Sequence, residues 1–594
     1  MHFTTNFLVI TLAFVAVFSQ AGRSHKAYRA KWPPTVNIGD GLTHQAIPDV
    51  DGGFVQSYRF NGIRYGTPNG RFSLALPTWS SKNKRSKHKE RPMSIGSGPG
   101  FSKCPQATPN WILDNEAFLR AFIANQSTEG YSFRNGSQNL SLPIQIPEDE
   151  TEDCLFLDVI VPKRIWDTTK AHPEKGFAPV IVYIHGGGFT SGDKGSHQDM
   201  NSLLADSVKV NSQGAILVLI NYRLGIFGFL SGDPSIMSNA GLIDQRMALS
   251  WIQKNIQKFG GDRFRVTVMG EEAGAASILH HITAPTLSKK ILPQVLHRFD
   301  HSPQDPFRSA IIQSPAFQPL VESQAIATLN TVLKMARTIT GKPVKNVSDL
   351  RALSYKTLYT INAAIVYASP LGSYTFGPTI DYSSNSYVPD FPLRRLDSGE
   401  FNKGVSILVG HGINEGLFYT SHTSGTIKGF QTHLANMFPT LSERDLIYIT
   451  NTIYNRPISV DNSHESIAGA AEVMGEIFVD CNVYYLMEKI ENSYGYYFKT
   501  SPAIQGPLLA DIIFGNPTSL NAIGDHVANK FRRKLLQFAM LAEEGAQAAT
   551  LREYDSSGSV LLVSNAGFEG YIDDPSKTER QCHYWAEASY ETGS

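Results

Sequence analysis

Two apolar runs separated by a glycine-rich loop constrain the fold of this chain more than any other feature. Residues 179–184 (PVIVYI) and 215–220 (AILVLI) are continuously apolar, and residues 185–188 (HGGG) directly follow the first run. Continuous apolar runs of this length are typical of strands covered on both faces of a sheet. Residues 240–259 then show helical spacing of apolar side chains, and residues 265–269 form another short apolar run. The order strand, helix, strand predicts a parallel α/β sheet.

The composition excludes several classes of protein. Among 594 residues, 53 Lys and Arg balance 53 Asp and Glu, so the chain has no general attraction to nucleic acid or to an anionic membrane. Its 33 Phe, 24 Tyr and 6 Trp exclude a disordered or collagen-like chain. There is no Cys/His spacing for zinc and no phosphate-binding loop, so we expect neither a metal nor a cofactor.

The N-terminus indicates export. Residues 7–18 are apolar, and small or polar residues follow at 19–22, a pattern that predicts a signal peptide over residues 1–22. No later run reaches the roughly 20 apolar residues of a membrane span, so we expect a secreted protein without a transmembrane anchor. A buried N-terminal core helix is the alternative. Residues 23–594 are then predicted to form a single domain.

Two surface features follow from polar segments. Residues 80–100 are rich in Lys and Arg with almost nothing apolar, which predicts a solvated basic loop. A polyanion-binding role for this loop is an alternative. Glycosylation sequons occur at Asn125, Asn135, Asn139 and Asn346, and the first three mark a polar surface loop.

Motifs spread over most of the chain resemble one family. They are residues 60–65 (FNGIRY), 104–106 (CPQ), 152–155 (EDCL), 179–189 (PVIVYIHGGGF), 221–225 (NYRLG), 239–245 (NAGLIDQ) and 259–262 (FGGD). This set resembles the type-B carboxylesterase/lipase family, which also contains the cholinesterases, and is most similar to its secreted fungal members. The resemblance covers about residues 50–520. It implies the α/β-hydrolase fold, a large and mostly parallel central sheet with helices on both faces.

The resemblance also bears on the four cysteines. It implies a disulfide between Cys104 and Cys154 around an active-site loop. Cys481 and Cys582 remain, and in an exported protein these two most simply pair, which would pin the C-terminal tail to the body. Two buried free thiols are the alternative.

The family's catalytic triad is only partly retained. Its nucleophile elbow reads Gly-Glu-Ser-Ala-Gly, whereas residues 270–274 here read GEEAG, with Glu272 in the place of the serine. Ser277 lies more than one helical turn away and cannot replace it. The resemblance assigns the acid to Glu415, but Gln505 stands where the histidine should follow. Glutamine has no titrating nitrogen and cannot accept a proton from a nucleophile.

The oxyanion hole, in contrast, is implied to be intact. Its donors would be the backbone N–H groups of Gly187, Gly188 and Ala273, although these residues could serve close packing alone. We expect the Glu272 carboxylate to fill this hole itself. We further expect the N–H bonds to outweigh desolvation, so that the carboxyl is ionised at neutral pH, with the amide of the glutamine at the histidine position bridging the two acids.

These substitutions predict a pseudoesterase. It would bind a hydrophobic or ester-like small molecule, or perform non-hydrolytic chemistry on it with Glu272 as general acid or base; a place in secondary metabolism is one interpretation. Less favoured interpretations make Glu272 a carboxylate nucleophile, or use His411 as the missing base. The alternatives are a conventional carboxylic ester hydrolase and a cholinesterase-like protein-binding module, for which no protein partner can be named.

Overall fold

The computed structural model describes residues 33–39, 43–51, 54–78, 102–126, 145–172, 177–196, 201–285, 306–316, 320–382, 386–454, 462–499, 524–541 and 545–587. The strands are β1 (Thr35–Asn37), β2 (Thr43–Gln45), β3 (Ile47–Asp51), β4 (Phe54–Arg64), β5 (Gly66–Thr67), β6 (Leu76–Pro77), β7 (Phe156–Pro162), β8 (Ala178–Ile184), β9 (Ile216–Ile220), β10 (Gly261–Glu271), β11 (Ser309–Gln313), β12 (Ser406–Gly412), β13 (Ser493–Lys499), β14 (Ser559–Ser564) and β15 (Gly567–Asp573).

Helices occupy most of the remaining described chain. They are α1 (Asn110–Ile123), α2 (Lys163–Ala171), α3 (Asn201–Val210), α4 (Gly225–Phe229), α5 (Ala240–Asn255), α6 (Ala273–Thr283), α7 (Glu322–Thr340), α8 (Val347–Arg351), α9 (Tyr355–Tyr367), α10 (Pro392–Asp397), α11 (Ile427–Met437), α12 (Glu443–Tyr448), α13 (His464–Gly475), α14 (Cys481–Lys489), α15 (Asp525–Met540), α16 (Gly545–Ala548) and α17 (Glu579–Glu587). Ile256–Phe259 and Glu415–Tyr419 form 3-10 helices, and Ile449–Ile453 and Glu476–Asp480 form π-helices.

Within the described ranges, eleven strands form one sheet in the order β15-β14-β13-β12-β11-β10-β8-β9-β7-β4-β3. The block from β14 to β9 is parallel, whereas β15 on one side and β7, β4 and β3 on the other are antiparallel. At the centre, Val268 of β10 pairs with Val182 of β8 and Ala310 of β11. The parallel sheet predicted from the sequence is confirmed.

The central strands are buried because they are apolar along their whole length. Every residue of β8 and β9 is buried, which is what a parallel strand covered by helices on both faces requires. The helical spacing over residues 240–259 corresponds to α5 and the 3-10 helix that continues it. The two apolar runs thus form neighbouring strands at the middle of the sheet.

Both predicted disulfides are confirmed. Cys104 is bonded to Cys154 and Cys481 to Cys582, each with a Cα–Cα distance of 5.0 Å. The second bond joins α14 to α17 and fastens the C-terminal helix to the body. The alternative of two free thiols is therefore wrong.

Several predicted features lie outside the described residues: the signal peptide (1–22), the whole basic loop (80–100), Asn135 and Asn139. Asn125 and Asn346 are described and exposed. Among the helices of the described ranges, none is long and apolar enough to cross a membrane.

Candidate functional site

The parallel topology brings three of the predicted site segments to one edge of the sheet. Residues 185–188 follow β8, Glu272 follows β10 and Glu415 follows β12. Because β8, β10 and β12 belong to the same parallel block, their carboxyl ends lie at a common edge, where α/β proteins bind their ligands. Gln505 follows β13 in the chain but lies outside the described residues.

Glu272 occupies a strained turn between β10 and α6. Its backbone has φ 53° and ψ −117°, a conformation that costs a residue with a side chain of the order of 1–3 kcal/mol. Two glycines permit the turn to pack. A Cβ on Gly270 would lie 2.5 Å from the carbonyl carbon of Gly274, and a Cβ on Gly274 would lie 2.1 Å from the oxygen of Ile184. The backbone therefore has the geometry of a nucleophile elbow.

The Glu272 carboxylate lies among the proposed oxyanion-hole donors. Its Oε2 accepts hydrogen bonds from the backbone N–H of Gly187 at 2.6 Å and of Gly188 at 2.9 Å, and the N–H of Ala273 also donates to the carboxylate. Donors arranged in this way stabilise negative charge on an oxygen. In this protein, these donors bind a carboxyl group of the chain itself.

The loop that carries two of these donors is held from both sides. The His185 ring stacks on Tyr222 with a centroid distance of 4.4 Å, and the Tyr222 hydroxyl donates to the His185 carbonyl oxygen at 2.8 Å. Farther along, Gln106 exchanges two hydrogen bonds with the backbone of Gly192, at 2.8 and 2.9 Å. The donor loop is consequently positioned before any ligand arrives.

Tyr374 is a site residue that the sequence motifs do not indicate. Its hydroxyl donates a hydrogen bond to the Glu272 carboxylate. Tyr374 lies in the loop after α9, which carries neither a periodic pattern nor a family motif quoted above. A contact between positions this far apart in the chain leaves no signal in a single sequence.

We expected the hydrogen bonds to lower the pKa of Glu272 by more than burial raises it, and this expectation is wrong. Burial raises the pKa of Glu272 above its usual value, although the N–H groups of Ala273, Gly188 and Gly187 and the Tyr374 hydroxyl each lower it. Desolvation thus outweighs the hydrogen bonds, because the carboxyl is buried beside aromatic side chains. The folded protein holds a proton on this carboxyl more strongly than a solvated glutamate does.

A small cavity adjoins the carboxyl, and we call it the elbow cavity. Its volume is about 40 Å³, room for roughly two or three water molecules. Besides Glu272 and Tyr374, its walls include the aromatic side chains Phe189, Phe376, Tyr419 and Phe478. The cavity is therefore narrow and mainly apolar, with one carboxyl group as its polar centre.

Glu415 is held at the end of β12 by two donors. The Ser314 hydroxyl donates to its Oε1 at 2.6 Å and the Gly412 N–H donates to the same oxygen at 2.7 Å. Burial nevertheless raises the pKa of Glu415. The site thus contains two buried carboxyl groups, Glu272 and Glu415, that both favour the protonated form more than free glutamate does.

His411 is engaged elsewhere. It is buried, its Nδ1 lies 3.1 Å from Asp480 Oδ1, and its ring contacts Tyr497 edge-on. Burial opposes the charged form, but nearby carboxylates, Asp480 above all, raise the pKa of His411 above its usual value. His411 is not part of the wall of the elbow cavity, so this geometry does not favour it as a base acting there.

Within the described chain, no group of three His, Cys, Asp or Glu side chains is arranged to hold a metal ion. The chemistry that the described site can offer is that of carboxyl groups, backbone N–H donors and a tyrosine hydroxyl.

Comparison with known proteins places this chain in a family. The carboxylesterase family model matches residues 44–519. Carboxylesterase patB of Aspergillus clavatus is 30% identical over 575 residues, which cover 94% of this chain and 96% of that protein. Carboxylesterase patB of Penicillium expansum is 29% identical over 580 residues, covering 94% and 96%. Acetylcholinesterase of Electrophorus electricus is 34% identical over 275 residues, covering 45% of this chain and 38% of that protein.

A solved structure supports the fold. The crystal structure of Aspergillus niger EstA superposes with a TM-score of 0.68 at 19% sequence identity, covering 95% of this chain and 99% of that one. Together with the eleven-stranded sheet of the described residues, this likeness establishes the α/β-hydrolase fold. The chain belongs to the carboxylesterase family.

Proposed function

We propose that this protein is an exported member of the carboxylesterase family that does not hydrolyse esters by serine chemistry. In this proposal it binds a hydrophobic or ester-like small molecule, or performs non-hydrolytic chemistry on it. Export is supported by the N-terminal apolar segment and by the two disulfides, which are typical of proteins that mature in an oxidising compartment.

One observation carries the proposal: the N–H groups of Gly187 and Gly188 both donate to the carboxylate of Glu272. In an acyl-transfer enzyme such donors must be free for the oxygen of the tetrahedral intermediate. A carboxylate already bonded to them competes with an ester carbonyl for the same position. It also supplies no hydroxyl to attack the ester.

The size and the aromatic walls of the elbow cavity favour a small apolar ligand. Ligand sites are mostly apolar with a few polar groups that set orientation, and here aromatic side chains surround a single carboxyl. A volume of about 40 Å³ admits only a small group unless Tyr374 moves aside. Binding of a larger molecule is therefore expected to break the hydrogen bond between Tyr374 and Glu272.

The raised pKa of Glu272 favours a second candidate, general acid–base catalysis on a bound molecule. A carboxyl buried in an apolar pocket can hold its proton at a pH where an exposed one has lost it, and can then donate it. Site-specific ¹³C NMR titration of Glu272 tests this candidate. A pKa close to neutrality would support it, whereas a pKa at the usual value for glutamate would exclude it.

The main proposal is tested by restoring the missing groups. The unmodified protein, Glu272→Ser and Glu272→Ser/Gln505→His are assayed with short-chain nitrophenyl esters and with a serine-directed fluorophosphonate. We expect no hydrolysis and no labelling in the unmodified protein, because loss of triad members lowers kcat by roughly a millionfold. The double variant should gain both activity and labelling.

Two outcomes would contradict the proposal. Labelling of the unmodified protein would show that another serine acts as nucleophile, as in a conventional esterase. Ester turnover that resists the fluorophosphonate and disappears in Glu272→Ala would show that the carboxylate itself is catalytic.

A further inference from the structure

A second and larger cavity shares none of its wall residues with the elbow cavity. It is bounded by α11, by residues 421–423 before that helix, by residues 367–371 at the end of α9, and by the first turn of α1. Trp111 forms part of its wall and also contacts the Tyr374 ring at 5.5 Å between centroids, while its Nε1 donates to the Ser373 carbonyl oxygen at 2.8 Å. We call this space the polar cavity.

The polar cavity has a size suited to a small organic molecule. Its volume is about 300 Å³, at the lower end of the range of about 300–1,000 Å³ that is usual for ligand pockets. Three exposed residues at its edge, Thr423, Thr432 and Asn436, leave it accessible from solvent. A ligand could therefore enter without passing the elbow cavity.

The wall of the polar cavity is polar but uncharged. Among the described residues that form it there is no Asp, Glu, Lys or Arg, and its polar groups are hydroxyls, amides and one imidazole. An ion placed there would lose hydration without gaining a partner of opposite charge, which is costly. Hydroxyls and amides instead both donate and accept, and so match a molecule whose groups do the same.

His433 supplies a fixed acceptor in this wall. Only 5% of the residue is exposed, and its Nε2 lies 2.7 Å from the Tyr419 carbonyl oxygen. Because a carbonyl oxygen only accepts, Nε2 must carry the proton. Burial lowers the pKa of His433 to about 4, so the ring is neutral at physiological pH and Nδ1 is an acceptor.

That acceptor is not used by the described protein. Among the described residues, His433 Nδ1 has no hydrogen-bond partner, and His433 forms part of the cavity wall. Nearby, the Thr432 hydroxyl donates to the Lys428 carbonyl oxygen at 2.8 Å, which leaves its oxygen free to accept. The exposed Asn436 amide can both donate and accept.

We propose that the polar cavity binds a neutral polyhydroxylated molecule about the size of one sugar ring, with one ligand hydroxyl donating to His433 Nδ1. The same chemistry is offered by a free monosaccharide or polyol and by the terminal sugar of a glycan. This site is separate from the one that contains Glu272, and it does not depend on the function proposed for that site.

The test is isothermal titration calorimetry of the full protein with neutral hexoses, pentoses and alditols at millimolar concentrations. Parallel titrations use glucuronate and glucosamine as charged analogues, and a neutral oligosaccharide to distinguish a glycan end from a free sugar. We expect at least one neutral ligand to bind, and its charged analogues to bind at least about tenfold more weakly, because no charged side chain compensates their desolvation. Affinity should be constant between mildly acidic and mildly basic pH, since His433 stays neutral there.

Variants locate the binding site. Thr432→Val and Asn436→Leu, both at exposed positions, should together weaken binding by at least about tenfold, as expected for two lost hydrogen bonds. Thr338→Val is the matched control, because Thr338 is also exposed and donates to the carbonyl oxygen of Lys334, four residues earlier on α7. His433→Leu should abolish binding, and the two surface variants keep the test decisive if that variant does not fold.

The proposal is overturned if no neutral polyol binds, if the charged analogues bind as tightly as the neutral ones, or if Thr432→Val/Asn436→Leu binds with unchanged affinity. It is supported if binding is lost in the cavity variants and retained in Thr338→Val.

Discussion

The ring of Tyr374 lies directly against Gly188, so closely that a Cβ on this glycine would come within 2.0 Å of the tyrosine Cε1. Gly188 also has φ 60° and donates its N–H to the carboxylate to which the Tyr374 hydroxyl donates. One glycine thus allows both the close approach of the ring and the donor geometry. The donor loop, Tyr374 and Glu272 therefore form one packed unit.

This packing predicts that substitutions at Gly188 and Tyr374 have non-additive effects on the free energy of unfolding. Gly188→Ala should lower the free energy of unfolding by about 2–4 kcal/mol, because the new methyl group collides with the ring and strains the backbone. In a Tyr374→Ala background the collision disappears, so the same change should cost about 1–2 kcal/mol less. Denaturant unfolding of the four proteins measures the difference, and additive effects would show that the ring does not press on the glycine.

Removing the elbow carboxylate should create an anion site. In Glu272→Ala the N–H groups of Gly187, Gly188 and Ala273 lose their partner, so acetate or a small boronic acid should bind at least about tenfold more tightly than to the unmodified protein. Calorimetry measures the two affinities. Glu465→Ala, which removes an exposed glutamate, is the control and should bind like the unmodified protein. Equal affinities in all three proteins would mean that Glu272 does not occupy the donors.

The raised pKa values of Glu272 and Glu415 predict how stability depends on pH. A solvated glutamate titrates near pH 4.3, so between that pH and the raised value the folded state binds more protons than the unfolded state. The stability that each carboxyl contributes is complete below about pH 4.3 and is lost as pH rises through the folded pKa.

The side chain in Glu272→Gln has no titrating proton. The free energy of unfolding of this variant therefore does not fall with rising pH on account of this position. The free energy of unfolding of Glu272→Gln, relative to the unmodified protein, should therefore increase as pH rises from about 4.3 to neutrality. Urea unfolding at a series of pH values measures this difference, with Glu465→Gln as the exposed control. A difference that stays constant, or that shrinks with rising pH, would show that the pKa of Glu272 is not raised.

The two disulfides should differ in their effect on stability. Cys481 and Cys582 are separated by 101 residues, and Cys104 and Cys154 by 50. In the chain-entropy model the longer loop contributes about 5 kcal/mol and the shorter about 4 kcal/mol. Paired Cys→Ser variants, compared by denaturant unfolding, should therefore both be destabilised, the Cys481/Cys582 pair more so. The reverse order would show that local packing around Cys104 outweighs loop length.

The elbow could be predicted because residues 270–274 resemble a local motif of the carboxylesterase family. The resemblance implies a strand-to-helix turn there, and the glycines at 270 and 274 that flank Glu272 permit the close packing that this turn requires. The pairing of Cys481 with Cys582 was also accessible, since only two cysteines remained after the family resemblance had assigned the others. Each prediction involved only a few residues: one five-residue motif in the first case and two remaining cysteines in the second.

Tyr374 and the polar cavity could not be predicted in this way. Each is assembled from loops and helix faces that are distant in sequence, and nothing in the spacing of Trp111, His433 or Tyr374 indicates that they meet. The pKa of Glu272 was predicted in the wrong direction for a related reason. The donors could be counted from the motif, but the depth of burial depends on the aromatic side chains that only the folded chain brings around the carboxyl.

The strained backbone at Glu272 has an evolutionary consequence. A turn with φ 53° and ψ −117° is expensive, yet the chain retains it, together with the glycines that it requires, at a position where no serine is present. The main-chain geometry of the elbow and of the donor loop is thus already in place. At these positions, gaining the ester hydrolysis that we propose is absent would require a new side chain but no change of backbone.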